Sequence, residues 1–174
     1  MAAHDPPEVW LRGPVPGISS LLQPVAHALL QAQEEVHKIM FGFPDFLLWE
    51  RPADVASVGF HLQHLSGVLD RLFTYGRGES LTPAQLERLR SEEQSPGPSC
   101  SVVTLVENFD VQMEKALQQL MDTAEPTLLL PIGVGRKKLP STVFGVLFHA
   151  AEHTQRHTGQ LLVTARILRS TPQA

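Results

Sequence analysis

Histidines recur at every fourth residue in "HAAEHTQRHTGQLL", at His149, His153 and His157, and a second pair, His61 and His64, lies three apart in "GFHLQHLSG". A neutral imidazole nitrogen is a good ligand for a divalent cation. On a helix, residues four apart lie one turn apart on the same face, so His153 and His157 can share one ion. One histidine from the other window would complete three nitrogen donors and leave a coordination position for water or substrate, as catalytic metal sites require. Spacing alone leaves open whether His61 or His64 contributes it. His149 lies about 80° around the axis from His157, where it can face a substrate or bond to a ligand. His61, Glu152 and Gln160 can orient ligands through hydrogen bonds, although each also reads as an ordinary polar boundary residue.

A lone helical histidine is more often a hydrogen-bonded core or boundary residue than a ligand. Here five of eight histidines fall in two short windows, and burying imidazoles without partners costs on the order of 1–3 kcal/mol each. A shared cation would offset that cost. His4, His27 and His37 read as peripheral, unless the first helix turns His27 inward.

The single cysteine, Cys100, excludes an intramolecular disulfide and a thiolate-rich zinc cluster, so a metal site must use histidine and carboxylate. Within "SPGPSCSVV" it reads as a bystander thiol whose loop position permits a redox role. No Ser-His-Asp arrangement, phosphate-cradling loop or nucleotide motif is evident. A net charge of −4 and a pI near 6.0 argue against a nucleic-acid partner. No apolar run reaches the roughly 20 residues of a membrane span, and the N-terminus lacks a basic region followed by an apolar stretch. A soluble, cytoplasmic protein with no membrane partner is the expectation.

The elements that must position these residues read as helices. With 43% hydrophobic content over 174 residues, the chain suits one domain, residues 1–174, with residues 1–17 an irregular arm. Apolar stripes predict a first helix from about Ile18 to Met40 and a second from about Ala53 to Tyr75, closed by "GRG". "FGFPDFLLWERPAD" between them is too apolar for a solvated linker and packs over one end of the core. "SLTPAQLERLRSEEQ" predicts a short connecting helix capped by Thr82, with Pro83 in its first turn. A third long helix starts near Val102 and ends before Pro126. "PIGVGRKKLPS" reads as a glycine-rich basic loop, solvated or with Arg136, Lys137 and Lys138 facing an anionic substrate.

Ser141 is the expected cap of a fourth long helix that runs to about Arg169, ahead of Pro172. Its core seam is read through Val146, Ala150, His153, His157, Leu161 or Gln160, Thr164 and Leu168, which turns both histidines inward; Thr164 can bond a carbonyl of the preceding turn. Gly159 costs about 1 kcal/mol inside a helix and would permit a close helix contact. With no strand signal, the fold class is all-α, a four-helix bundle with a short extra connecting helix.

"GFHLQHLSGVLDRL" and "FHAAEHTQRHTGQLL" resemble the DinB-like, or YfiT-like, metalloprotein family, which is distinct from the DNA polymerase that shares the DinB name. Its pattern places one histidine on the second helix, and on the fourth a histidine, three residues, a second histidine and Arg-Gly-Gln. Carried onto this chain, the resemblance implies His64, His153 and His157 as metal ligands. Thr158 stands where arginine is frequent, which puts in doubt any substrate contact assigned to that arginine. The resemblance further implies an unusual helix order, a homodimer, and zinc or nickel as the ion, with iron or manganese as alternatives. Related members include transferases that use a low-molecular-weight thiol.

The leading expectation is therefore a metal-dependent enzyme of thiol-transferase type acting on a small electrophilic substrate. A metal-dependent hydrolase is its nearest variant. The competing class is a non-catalytic module, either a metal-binding or damage-response protein or a plain helical dimer.

Overall fold

The computed structural model describes residues 6–170; His4 and Pro172 lie outside them. Five α-helices follow one another as α1 (Gln23–Met40), α2 (Val58–Gly76), α3 (Pro83–Ser91), α4 (Val102–Asp122) and α5 (Val143–Ser170), and a hairpin of β1 (Pro131–Val134) and β2 (Leu139–Thr142) precedes the last. The all-α class holds, with α3 as the short extra helix. None of the described helices is long and apolar enough to cross a membrane.

Packing contacts are most extensive between α2 and α5, then between α2 and α4, α1 and α5, and α1 and α4. Around the bundle the order is therefore α1, α4, α2, α5, and the consecutive helices α1 and α2 occupy opposite corners. The segment joining them crosses the end of the bundle, as its aromatic composition predicts, and buries Phe43, Leu47 and Leu48. Asp45 Oδ1 there accepts from the Val102 amide at 2.7 Å and so tethers the start of α4. α2 and α5 run antiparallel: Thr164 near the end of α5 reaches the Ala56 carbonyl before α2, and Leu147 near its start lies against Gly76.

Several boundaries differ from the sequence reading, each for a local reason. α1 starts at Gln23 after a 3-10 turn, Ser20–Leu22, and Pro24 sits in its first turn, where a missing N–H costs nothing. α2 starts at Val58 rather than Ala53, because Ala53 and Asp54 have left-handed backbone, with φ of 50° and 59°. Ser57 then caps it by accepting from the Phe60 amide at 3.1 Å. The glycine-rich basic stretch is a hairpin with Val134 opposite Leu139. Its four-residue strands carry Gly133 and Pro140, which hide any alternating pattern. α5 is capped by Thr142, whose hydroxyl accepts from Gly145 N at 3.0 Å, and not by Ser141.

The centre of the α5 seam also differs. Thr154 and Thr158 are fully buried, whereas His153 and His157 stand beside them, half-buried. Each of these threonines donates its hydroxyl to a carbonyl one turn back, Ala150 at 2.7 Å and Thr154 at 2.9 Å. That bond conceals the hydroxyl and leaves the methyl for packing. Because α5 packs on α1 and α2 together, its buried face is wider than one stripe. Thr164 bonds across to Ala56 at 3.4 Å instead of to its own helix. Gly159 is exposed, and a Cβ there would meet no other part of the protein within 4 Å, so it serves no close helix contact.

Candidate metal centre

The antiparallel pairing of α2 and α5 brings the two histidine windows together in register. His61 meets His157, and His64 meets His153, so the three-residue step on α2 matches the four-residue step on α5 running the other way. His64, His153 and His157 each offer a nitrogen, all within 4.8 Å of one another. The Nε2 atoms of His64 and His153 are 2.9 Å apart, and the His64 and His157 rings have centroids 4.3 Å apart. Two nitrogens on one tetrahedral ion, each about 2.0–2.1 Å from it, are separated by roughly 3.3 Å. The observed spacing is close to that value.

The environment favours neutral, lone-pair-bearing rings. Burial, reinforced by His64 and other neighbouring positive groups, pushes His153 down to about 4 and His157 to about 3. Burial likewise lowers His61 to about 4. His153 Nδ1 is buried and has no hydrogen-bond partner among the described residues, a desolvated polar atom that the protein alone leaves unsatisfied. Three imidazole nitrogens converging on one point, two of them on rings that burial keeps neutral, fit a divalent cation better than they fit a hydrogen-bonded core.

His61 is buried, and its Nδ1 lies 3.2 Å from His157 Nδ1, which turns the other edge of the His157 ring toward the cluster. Phe60 stacks on His64 at 5.2 Å between centroids and meets His61 edge-on at 5.4 Å. The remaining candidates lie on the solvent side. His149 is exposed and bonds Glu152 at 3.1 Å, its ring 5.3 Å from that of His153. Glu152 is held in turn by Arg156. Gln160 is exposed and, among the described residues, makes no bond to the histidines.

Other expectations fall away from the centre. His27 bonds the Gly13 carbonyl at 3.0 Å, and His37 bonds Asp110 at 2.8 Å, so both join surface elements. Arg136, Lys137 and Lys138 are exposed on the hairpin turn, and His153 lies ten residues into α5, about 15 Å further along its axis. Those cations therefore belong to the solvated-loop reading. Thr158 lies in the core, where it cannot touch a substrate. Cys100 lines a cleft of about 480 Å³ between α2, α3 and α4, and burial together with Asp45 pushes its thiol up, away from the reactive thiolate.

Two residues that the sequence reading did not single out complete the centre. Glu92, just past α3 and 4% exposed, accepts from His64 Nδ1 at 2.7 Å and from Arg71 at 2.5 Å. Arg71 is itself buried, seven residues after His64 and on the same face of α2. A charged residue on a buried helical face was the available signal. Glu92 and the exposed Glu93 are indistinguishable in sequence.

No curated protein matches the chain. Residues 28–161, most of its length and all three clustered histidines included, match the model of the DinB superfamily. The chain belongs to the DinB superfamily.

Proposed function

We propose that the protein holds one divalent cation on His64, His153 and His157 and serves as a metal-dependent enzyme that transfers a low-molecular-weight thiol to a small electrophile. The observation that carries this reading is the convergence of three imidazole nitrogens within 4.8 Å, with no fourth protein ligand among the described residues. A cation held this way supplies Lewis acidity that lowers the pKa of a thiol or water placed beside it. Zinc and nickel suit the all-imidazole donor set, and iron and manganese are the alternatives.

The chain's own residues do the rest. His61 orients the His157 ring, Phe60 covers one face of His64 and excludes water from it, and Glu152 and Arg156 rim the open side. The rim bears both signs of charge in mutual contact, which favours a small, weakly charged substrate over a polyanion. A homodimer is part of the same reading.

The test is elemental analysis of protein purified without a metal-affinity tag, alongside His153→Ala. Near-stoichiometric metal in the parent, lost in the variant, supports the site. Turnover of an electrophile panel that requires both metal and thiol then supports the activity. A parent that takes up none of zinc, nickel, iron or manganese overturns the reading. Bound metal whose spectrum ignores added thiol and azide leaves a non-catalytic metal module.

A further inference from the structure

Glu92 occupies a slot built by three residues of α2. His64 and Arg71 are seven apart, two turns on one face, and Gly67 stands between them. A Cβ at Gly67 would overlap the Glu92 carboxylate and the Arg71 guanidinium, so only glycine leaves the space that the carboxylate fills. Its two oxygens are then divided, Oε1 to Arg71 at 2.5 Å and Oε2 to His64 Nδ1 at 2.7 Å. Gln63 fixes the backbone that carries Glu92, donating to the carbonyls of Glu92 and Gln94, each at 2.9 Å. Glu92 thus has two ways of being held and one direction in which to point.

We infer that Glu92 is a positioning residue that sets the tautomer of His64, with Arg71 deciding which oxygen is left to do it. A carboxylate accepts only, so His64 must carry a proton on Nδ1, which leaves Nε2 as the atom it can offer a cation at the point it shares with His153 and His157. Arg71 donates only, so it claims an oxygen whatever stands at position 92. A buried carboxylate without a cation would be costly; with Arg71 alone it would be merely structural. The 2.7 Å bond to His64 gives it a chemical consequence. The inference rests on the reading of His64 as a metal donor.

Glu92→Gln separates positioning from packing because it keeps the shape. Arg71 still takes the oxygen, so the amide NH2 group faces His64 Nδ1 and can bond only a lone pair there, which drives the ring proton to Nε2. In metal-free protein with 15N-labelled histidine at pH 7.5, long-range 1H–15N correlation spectra should show His64 protonated on Nδ1 in the parent and on Nε2 in Glu92→Gln. Zinc affinity, from competition with a chromophoric chelator, should fall about 10–100-fold, with unchanged circular dichroism. Glu92→Asp, which restores a carboxylate, should recover the Nδ1–H form.

A parent whose His64 is protonated on Nε2 overturns the inference without recourse to any variant. So does a Glu92→Gln protein with zinc affinity within about twofold of the parent. If the parent binds no zinc, the proposed function fails, while the tautomer spectra still decide the role of Glu92.

Discussion

The clustered histidines show what residue types and spacing can and cannot carry. His153 and His157 were legible as a pair because helical geometry fixes where residues four apart must stand. His64 was singled out over His61 only by resemblance, and the structure separates them by burial. His61 is sealed against His157, whereas His64 faces the shared point. Glu92 was not legible, since its contact with His64 spans 28 residues and depends on how α3 docks. The burial of these rings also predicts a pH dependence in the metal-free protein. His61 and His153 are held near 4 and His157 near 3, against about 6.5 for an unfolded chain. As pH falls from 6.5 toward 4 the unfolded state takes up protons that the native state refuses, so stability is full above 6.5 and declines through that window. His64, Glu92, His149, Glu152 and Arg156 face these rings and shape the slope. Urea midpoints of chelated protein should agree between pH 8 and 7 and drop between pH 6.5 and 5, above the carboxylate range. His61→Leu should flatten that drop, and a parent midpoint level across the window would mean that the rings are not buried in neutral form.

At the scale of elements, the helices were legible wherever the buried face is an unbroken apolar stripe, as in α4, and less so where polar residues are buried within it. α5 is the instructive case: Thr154 and Thr158 read as polar yet form its buried centre, because their own helix absorbs their hydroxyls. The cap of α3 was legible from Thr82 and Pro83, and the structure adds a capping box, with Gln85 Oε1 accepting from the Thr82 amide at 2.8 Å. Gln85 also donates to Asp70 at 3.0 Å and Thr74 at 2.8 Å on α2, which pins the short helix that delivers Glu92. Two helical glycines now predict opposite outcomes for one substitution. Gly159 meets nothing, so Gly159→Ala should raise stability by about 0.5–1 kcal/mol through helix propensity alone. Gly67→Ala forces the Glu92 carboxylate out of its slot and should cost about 1–3 kcal/mol as overpacking. Urea denaturation of both variants at pH 7.5 is the measurement. Equal effects of either sign would show that position 67 makes no slot.

For the whole molecule, the bundle order places the centre between α2 and α5, the pair in most extensive contact, at the first two turns of α2 and the middle of α5. Leu62, Leu65, Leu147 and Leu161, all fully buried, flank the histidines along these two helices, and Phe109 and Met113 of α4 fill the core beyond them. That apolar core needs no ion to form, unlike a small metal-dependent domain that folds only on its metal. A cation on His64, His153 and His157 would nevertheless join two helices distant in sequence and bind the native state alone. Mass action then fixes the gain: at free metal 100-fold above Kd the native state is stabilised by about 2.7 kcal/mol, and by about 4.1 at 1,000-fold. The chelated protein should accordingly keep its helical circular dichroism and unfold cooperatively, with a melting temperature that rises on adding zinc and keeps rising with concentration past saturation. His157→Ala, which removes one donor while leaving the threonine seam intact, should keep the chelated melting behaviour and lose most of the zinc-dependent rise. Collapse of helical signal on chelation would instead place the ion among the forces that fold the chain. An unchanged rise in His157→Ala would mean that zinc binds elsewhere.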